Sequence, residues 1–132
     1  MQRATKLFIF SLAFLTACAQ APTLDSATAE SKTGAFLESL ASDPETAYNG
    51  ASARFQASMT LEELTTYVDG TSLKSFNHFT ITSIEYQQGV GINAAKVDGD
   101  VEYTDLTKQS ASFIWSYDNA KKDWYLDAFR FN

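Results

Sequence analysis

Few side chains in this sequence have the chemistry that catalysis or metal binding needs. The chain has one cysteine, Cys18, and one histidine, His78, among its 132 residues. A structural zinc site takes four Cys or His ligands, and a catalytic cysteine takes a base as its partner. The sequence also lacks a glycine-rich phosphate loop and a nucleophile elbow. We therefore expect no metal, no cofactor and no catalytic role for these two residues.

Acidic residues cluster in the second half of the chain, and His78 precedes them at the start of a predicted strand. Asp98, Asp100 and Glu102 alternate along another strand, and Asp105 follows them. Calcium is held by oxygen ligands from a loop that wraps the ion, which an extended strand does not supply. We therefore predict a solvated acidic face, with His78 exposed at the edge of its strand.

Asp127 and Tyr125 form the pair most suited to acid–base chemistry. They share one face of the last predicted strand, and a carboxylate turned inward there would be desolvated next to a phenol. The other face of this strand is apolar and competes for the core, with Trp124, Leu126 and Ala128. Because burying an unpaired charge is costly, we expect Asp127 to point outward. An enzyme that uses Asp127 and Tyr125 remains the alternative.

The charge of the chain disfavours two classes of partner. There are 10 basic and 16 acidic residues, for a net charge of −6. Removal of Arg3 and Lys6 with a leader leaves 8 basic against 16 acidic residues, a net charge of −8. Such a domain repels nucleic acid and anionic lipid, so we expect no nucleic-acid partner. Membrane attachment then requires an anchor rather than a basic face.

The N-terminus has the three-part layout of a secretory signal peptide. Arg3 and Lys6 form a positive head, residues 7–15 are apolar except for Ser11, and Ala17 is small. The apolar run is shorter than the roughly 20 residues that cross a bilayer. Cleavage at this end would place the mature domain outside the cytoplasm.

Leu15-Thr16-Ala17-Cys18 resembles the lipobox of bacterial lipoproteins. The resemblance implies that residues 1–17 are a signal peptide and that Cys18 becomes the lipidated first residue of the mature chain. An ordinary secretory signal, cut a few residues later, is the alternative. Residue 19 is alanine rather than the aspartate associated with inner-membrane retention. In a diderm bacterium this implies the periplasmic face of the outer membrane.

Two helices are predicted after the leader. Residues 18–29 are small, polar and interrupted by Pro22, which is typical of a flexible tether, and the folded domain then spans residues 30–132. The first helix covers about residues 30–41. A second helix begins at Pro44, because Pro suits the first helical position, and it carries one apolar stripe: Tyr48, Ala51 and Phe55.

The third helix has the clearest local signal in the chain. Thr60 and Glu63 are spaced as a capping box, in which each side chain accepts a hydrogen bond from the main-chain N–H of the other residue. The helix is predicted to continue to about Val68 and to end at Gly70.

From Phe76 onward the hydrophobic period changes from helical to two, which indicates strands. Four strands are predicted, around residues 79–86, 95–103, 111–117 and 124–132. Gly99 falls on the apolar face, where a bend or close packing leaves no room for a side chain. Three helices followed by an antiparallel meander predict an α+β fold, with the helices covering the apolar face of a four-stranded sheet.

This order of elements resembles the nuclear-transport-factor-2-like superfamily, also called cystatin-like. The resemblance is carried by a helical pattern and by a final hairpin in which Trp124 starts the last strand. The pattern comprises Phe36, Leu37, Leu40, Ala47, Tyr48, Ser52, Phe55, Thr60, Glu63 and Leu64. It implies helices packed in the concave face of a curved sheet, forming a cone that often holds a pocket. The superfamily includes both enzymes and binding domains, so it implies no single activity.

The aromatic residues near the C-terminus add a candidate binding surface. They are core candidates first, but they also suit an apolar ligand or a protein partner: Trp115, Tyr117, Trp124, Tyr125, Phe129 and Phe131. Our primary hypothesis is an envelope lipoprotein that reaches the membrane through Cys18 and acts as a non-enzymatic module. Its partner would be a small apolar ligand, an envelope protein or a second copy bound through the open sheet face. A structural subunit of an envelope complex is a further alternative.

Overall fold

The structure, a computed structural model, describes residues 22–89 and 92–132. Cys18 and the predicted signal peptide lie outside the described residues. The helices are α1 (Ser26–Ser42), α2 (Pro44–Asn49), α3 (Ala53–Ser58) and α4 (Leu61–Asp69), followed by a short 3₁₀ helix (Ser72–Ser75). The strands are β1 (Phe76–Gly89), β2 (Ile92–Tyr103), β3 (Lys108–Asp118) and β4 (Asp123–Phe131).

Helix α1 begins four residues before the predicted start at residue 30. Asp25 caps it, because the Asp25 side chain accepts a hydrogen bond of 2.7 Å from the Thr28 main-chain N–H. Leu24 is only 1% exposed and Ala29 is fully buried. The predicted tether of residues 18–29 is therefore too long, since the folded domain already includes Leu24.

The predicted second helix is two helices, α2 and α3, separated by a short turn. Gly50 ends α2, and the Ser52 side chain accepts a hydrogen bond from the Phe55 main-chain N–H to cap α3. The Ser52 main-chain N–H donates a hydrogen bond to the Leu126 carbonyl of β4, at 3.0 Å, and not to a carbonyl within a continuous helix. The break lets α3 turn against the free edge of the sheet.

Helix α4 has the capping box that the sequence predicts. The Thr60 hydroxyl accepts a hydrogen bond from the Glu63 main-chain N–H at 3.1 Å, and the Glu63 carboxylate accepts one from the Thr60 N–H at 3.4 Å. The buried side of α4 carries Leu64 and Val68. This cap fixes where α4 starts and therefore where its later residues meet the sheet.

The four strands form one antiparallel sheet in the order β1-β2-β3-β4. The helices pack in the concave face of this curved sheet, so the predicted α+β architecture is confirmed. Gly99 of β2 faces the core where β1 passes closest. A Cβ atom added at Gly99 would lie 2.4 Å from both the Phe79 ring and the Thr80 carbonyl oxygen. The prediction that this position needs close packing is confirmed.

Side chains fill the space between helices and sheet. Phe79 and Phe113 meet edge to face with ring centroids 5.5 Å apart, and both are almost fully buried. One hydrogen bond joins two buried side chains of helix and sheet, from the Trp115 indole N–H to the Thr33 hydroxyl at 3.2 Å. In the described part of the chain, every buried side-chain nitrogen and oxygen has a hydrogen-bond partner. Polar burial in this core is therefore compensated.

Candidate functional site

A β-bulge in β4 determines where Asp127 lies. Ile114 pairs with Ala128 while the next residue, Trp115, pairs with Leu126, so Asp127 has no partner across the ladder. The bulge changes which alternate residues face the core. Trp124 and Leu126 face it before the bulge, and Phe129 and Phe131 pack against it afterwards. Both apolar patterns in the last strand are therefore used, one on each side of Asp127.

Asp127 is buried, with 5% of its surface exposed. Its Oδ1 accepts hydrogen bonds from the hydroxyls of Ser52 at 2.6 Å and Ser116 at 2.9 Å. Its Oδ2 lies 3.4 Å from the Arg54 Nη1, whose side chain is 81% exposed. Asp127 points outward from the core, as the sequence predicts, but it is not exposed to water. Its side chain is on the side of Ser116, away from the core, but the turn before α3 covers it.

Tyr125 and Asp127 line the same surface cavity of about 260 Å³. Ser52, Arg54 and Ser116 also line it, and the Lys121 ammonium lies 5.0 Å above the Tyr125 ring. The structure therefore brings the two sequence-predicted residues together. Oδ1 of Asp127 accepts two short hydrogen bonds, whereas Oδ2 has only the long contact to the exposed Arg54, so the stronger contacts of this carboxylate are made within the protein. Chemically, this cluster fastens α3 to β4.

His78 and the acidic residues are placed as expected. His78 is exposed near the start of β1, beside a cavity of about 410 Å³ that it shares with Glu30 and Glu38. Asp98 accepts hydrogen bonds from two serine hydroxyls and lies 3.8 Å from Lys96. In residues 22–89 and 92–132, no three His, Cys, Asp or Glu side chains are grouped as metal ligands would be. Asp105 is exposed and Asp98, Asp100 and Glu102 are half-buried, so this acidic face is partly in contact with solvent.

A second candidate site lies between the helices and the end of β4. We call it the Tyr67 groove and define it by five apolar side chains: Phe55, Met59, Tyr67, Phe129 and Phe131. Ring centroids of Tyr67 and Phe129 are 5.6 Å apart, and those of Phe55 and Phe129 are 6.0 Å apart in a stacked arrangement. They line a cavity of about 300 Å³ together with Ser58 and Arg130. Aromatic walls of this kind suit an apolar group.

Tyr67 connects this cavity to two neighbours. One, of about 660 Å³, runs along α4 past Met59, Glu62 and Glu63. The other, of about 240 Å³, is lined by Tyr103, Gln109 and other residues. Two further cavities therefore adjoin the groove, and the one along α4 has acidic side chains in its lining.

Tyr67 in the groove and Tyr103 in the adjoining cavity keep their phenol protons at physiological pH. Burial raises the pKa of Tyr67 above its ordinary value. Burial also raises the pKa of Tyr103, and the nearby Tyr67 adds to the effect. The Tyr103 hydroxyl donates to the Gln109 side-chain oxygen at 2.7 Å. Since a raised phenol pKa keeps the proton on the oxygen, these tyrosines act here as apolar walls and hydrogen-bond donors.

The sequence anticipated one wall of the groove but not the other. Phe129 and Phe131 belong to the set of C-terminal aromatic residues that the sequence predicts to form either core or a binding surface. Met59 and Tyr67 were not recognised as binding residues. Tyr67 follows Leu64 by three positions, so helical spacing places it beside the buried stripe of α4. This spacing predicts that Tyr67 lies near the core, but it does not show which element of the fold Tyr67 faces.

No protein-family model matches this chain, and no curated protein matches its sequence. Within the described ranges, no helix has the length and apolar content needed to cross a membrane. Fold and site together define an α+β domain with helices on one face of an antiparallel sheet and an aromatic groove at the end of its last strand.

Proposed function

We propose that this protein is a lipid-anchored envelope lipoprotein whose domain is a non-enzymatic binding module. The observation that carries the binding role is the Tyr67 groove, where apolar side chains from α3, α4 and β4 surround an open cavity. Residues that would transfer protons are not grouped in its described lining, which is dominated by aromatic rings and has one phenol, Tyr67. The groove therefore fits the capture of an apolar group better than its conversion.

The sequence resemblances support the remaining parts of this proposal. The lipobox-like Leu15-Thr16-Ala17-Cys18 supports lipidation of Cys18 and a place in the cell envelope. The order of helices and strands agrees with that of the nuclear-transport-factor-2-like superfamily, in which many members bind ligands. The net negative charge of the chain further supports an anchor rather than direct adsorption to anionic lipid.

Three alternatives have less support. An isomerase or dehydratase that uses Asp127 and Tyr125 needs a carboxylate that faces the substrate, whereas the Asp127 carboxylate is buried and accepts hydrogen bonds from Ser52 and Ser116. A structural subunit should expose a large apolar patch, whereas Tyr86 and Leu106 are the only large apolar side chains exposed in the described ranges. A homodimer through the open sheet face would bury the polar row around Asp98 and Ser112.

Binding in the groove can be tested with a water-soluble aromatic probe. We expect N-acetylphenylalanine amide to give a saturation-transfer NMR signal with the processed protein in lipid nanodiscs, corrected for empty nanodiscs. Tyr67→Ala should weaken binding about tenfold or more, because it removes most of one aromatic wall, worth roughly 1.5–3 kcal/mol. Tyr86→Ala, a tyrosine substitution outside the groove, is the matched control. Equal binding by the wild type and Tyr67→Ala would contradict the proposal.

The anchor can be tested separately at Cys18. We expect Cys18→Ser to abolish lipid attachment and to yield soluble or unprocessed protein, because serine has no thiol to form the thioether. Fractionation and intact mass of the purified chain would measure this. Binding of the aromatic probe by the soluble form should be unchanged. A Cys18→Ser chain that still fractionates with membranes as a processed form of normal size would exclude this lipidation site.

A further inference from the structure

The end of β4 presents a free main-chain edge to the Tyr67 groove. Among the described strands, β4 pairs with β3 alone. The Asn132 N–H donates to the Ser110 carbonyl at 3.0 Å, so this pair is hydrogen-bonded across the ladder. Because such pairs alternate in an antiparallel ladder, Phe129 and Phe131 direct their N–H and C=O groups away from β3. Within the described ranges, no hydrogen bond from outside the sheet reaches these groups.

Helix α3 covers the neighbouring part of this edge but not its end. The Ser52 N–H donates to the Leu126 carbonyl, and Asp127 is held by Ser52 and Arg54. From Ala128 to Phe131 the strand instead lines the cavity of about 300 Å³. Free backbone groups and an apolar cavity therefore lie side by side. This is the combination used when an extended segment adds a strand to a sheet.

Charge indicates the chemistry of the segment. Glu62 and Glu63 line the continuation of the groove along α4, and both are exposed. Arg130 is the basic residue in the lining of the main cavity. The whole chain is acidic, with a net charge of −6. An apolar segment flanked by basic residues would be attracted to this surface and would place its apolar side chain in the cavity.

The described chain enters the domain at a distance from the Phe131 end of β4. The Tyr86 hydroxyl donates to the Leu24 carbonyl, so the chain enters the domain near the row of Tyr86, Ala95 and Trp115. Five residues separate Cys18 from Leu24. They span at most about 20 Å and hold that end close to the anchor. Phe131 pairs with Ala111, which lies four residues along β3 from Trp115. The Phe131 end of β4 is therefore about 13 Å along the strands from the row where the chain enters the domain.

We propose that the Tyr67 groove receives an extended segment of another protein by strand addition to Phe129–Phe131, and that this segment has an apolar side chain flanked by lysine or arginine. The proposal rests on the binding function and the Cys18 anchor proposed above, and it adds the class of partner.

A designed peptide tests the mode of binding. The probe is fluorescein-labelled Lys-Val-Thr-Phe-Thr-Val-Lys-amide, measured by fluorescence anisotropy with processed protein in zwitterionic nanodiscs. Two further peptides are N-methylated, one at the Val and Phe residues and one at the two Thr residues. Only one of these sets can face β4, so one methylated peptide should bind at least about tenfold more weakly and the other should bind normally.

The protein side of the test uses Phe131→Ala and Phe131→Pro. Both remove the ring, but only proline removes the outward N–H, and proline is tolerated at such an edge position. Phe131→Pro should bind the peptide about threefold to tenfold more weakly than Phe131→Ala. Glu62→Gln should weaken binding about twofold to fivefold, while Glu45→Gln on α2 should not change it.

The outcomes separate this inference from the function on which it rests. Equal binding of both methylated peptides would overturn strand addition, and the signal from N-acetylphenylalanine amide would still report on the groove. No peptide binding, or equal binding by Phe131→Ala and Phe131→Pro, would also overturn it. A dimer of the wild-type chain that dissociates on Phe131→Pro would assign the edge to a second copy instead. The proposal would be supported if only one of the two methylated peptides lost affinity and if Phe131→Pro bound the peptide more weakly than Phe131→Ala.

Discussion

Replacing Gly99 with alanine is expected to destabilise the domain by about 3 kcal/mol, at the upper end of the usual cost of overpacking a core. The added Cβ would lie 2.4 Å from the Thr80 carbonyl oxygen and 2.4 Å from the Phe79 ring. One of these atoms belongs to the main chain of β1, so a side-chain rotation cannot relieve the clash. β1 and β2 must separate where they pair, and Phe79 must leave its contact with Phe113.

Urea unfolding followed by tryptophan fluorescence measures the Gly99→Ala effect, since Trp115 and Trp124 are both buried. Gly34→Ala is the matched control. Gly34 lies inside α1, and an added Cβ there meets no atom within 4 Å. It should stabilise the domain by about 0.5–1 kcal/mol, because alanine favours the helix over glycine. If both substitutions changed the free energy of unfolding equally, close packing of β1 on β2 at Gly99 would be wrong.

Removing the Asp127 carboxylate is expected to lower the free energy of unfolding by about 2–4 kcal/mol, because it breaks two short hydrogen bonds to a charged acceptor. Asp127→Ala leaves the hydroxyls of Ser52 and Ser116 without the acceptor they share. It also releases the turn that holds α3 against β4. Since α3 carries Phe55, a wall of the Tyr67 groove, the same variant should weaken binding of the aromatic probe.

The control for the Asp127→Ala variant is a substitution of Arg54, the third hydrogen-bond partner of Asp127. Arg54 is 81% exposed and lies 3.4 Å from the carboxylate. An exposed partner of this kind contributes little, so Arg54→Met should cost less than about 1 kcal/mol. Ser52→Ala should lower the free energy of unfolding by an amount between those of Asp127→Ala and Arg54→Met, because Ser52 both donates to Asp127 and caps α3. An Asp127→Ala variant as stable as Arg54→Met would show that the serine hydrogen bonds do not fasten α3.

Local signals in the sequence predicted most elements of this fold. The capping box of Thr60 and Glu63 and the alternating strands depend on residues close in the chain, and both were predicted correctly. The α+β class followed, because an apolar sheet face needs the helices as cover. The start of α1 was missed, since the small residues before Glu30 have no clear period although Asp25 is a good cap. The break at Ser52 was missed because the apolar spacing continues across it.

The candidate sites depended much more on contacts between distant residues. Alternation in the last strand offered two faces, and the sequence could not show that a bulge at Asp127 uses both. Burial of Asp127 requires Ser52, 75 positions earlier, to fold over the edge of β4. The Tyr67 groove likewise joins α4 to the last residues of the chain.

By itself the sequence determined the strands, the cap of α4, the acidic charge and the need for close packing at Gly99, since these follow from local periodicity, composition and steric size. It also predicts a lipid anchor at Cys18, which lies outside the described residues. Only the tertiary structure decided that Asp127 is a buried fastening point and that Tyr67 faces Phe129 across an open groove. Both depend on where α3 and α4 meet β4, and that meeting is set by packing across the whole domain.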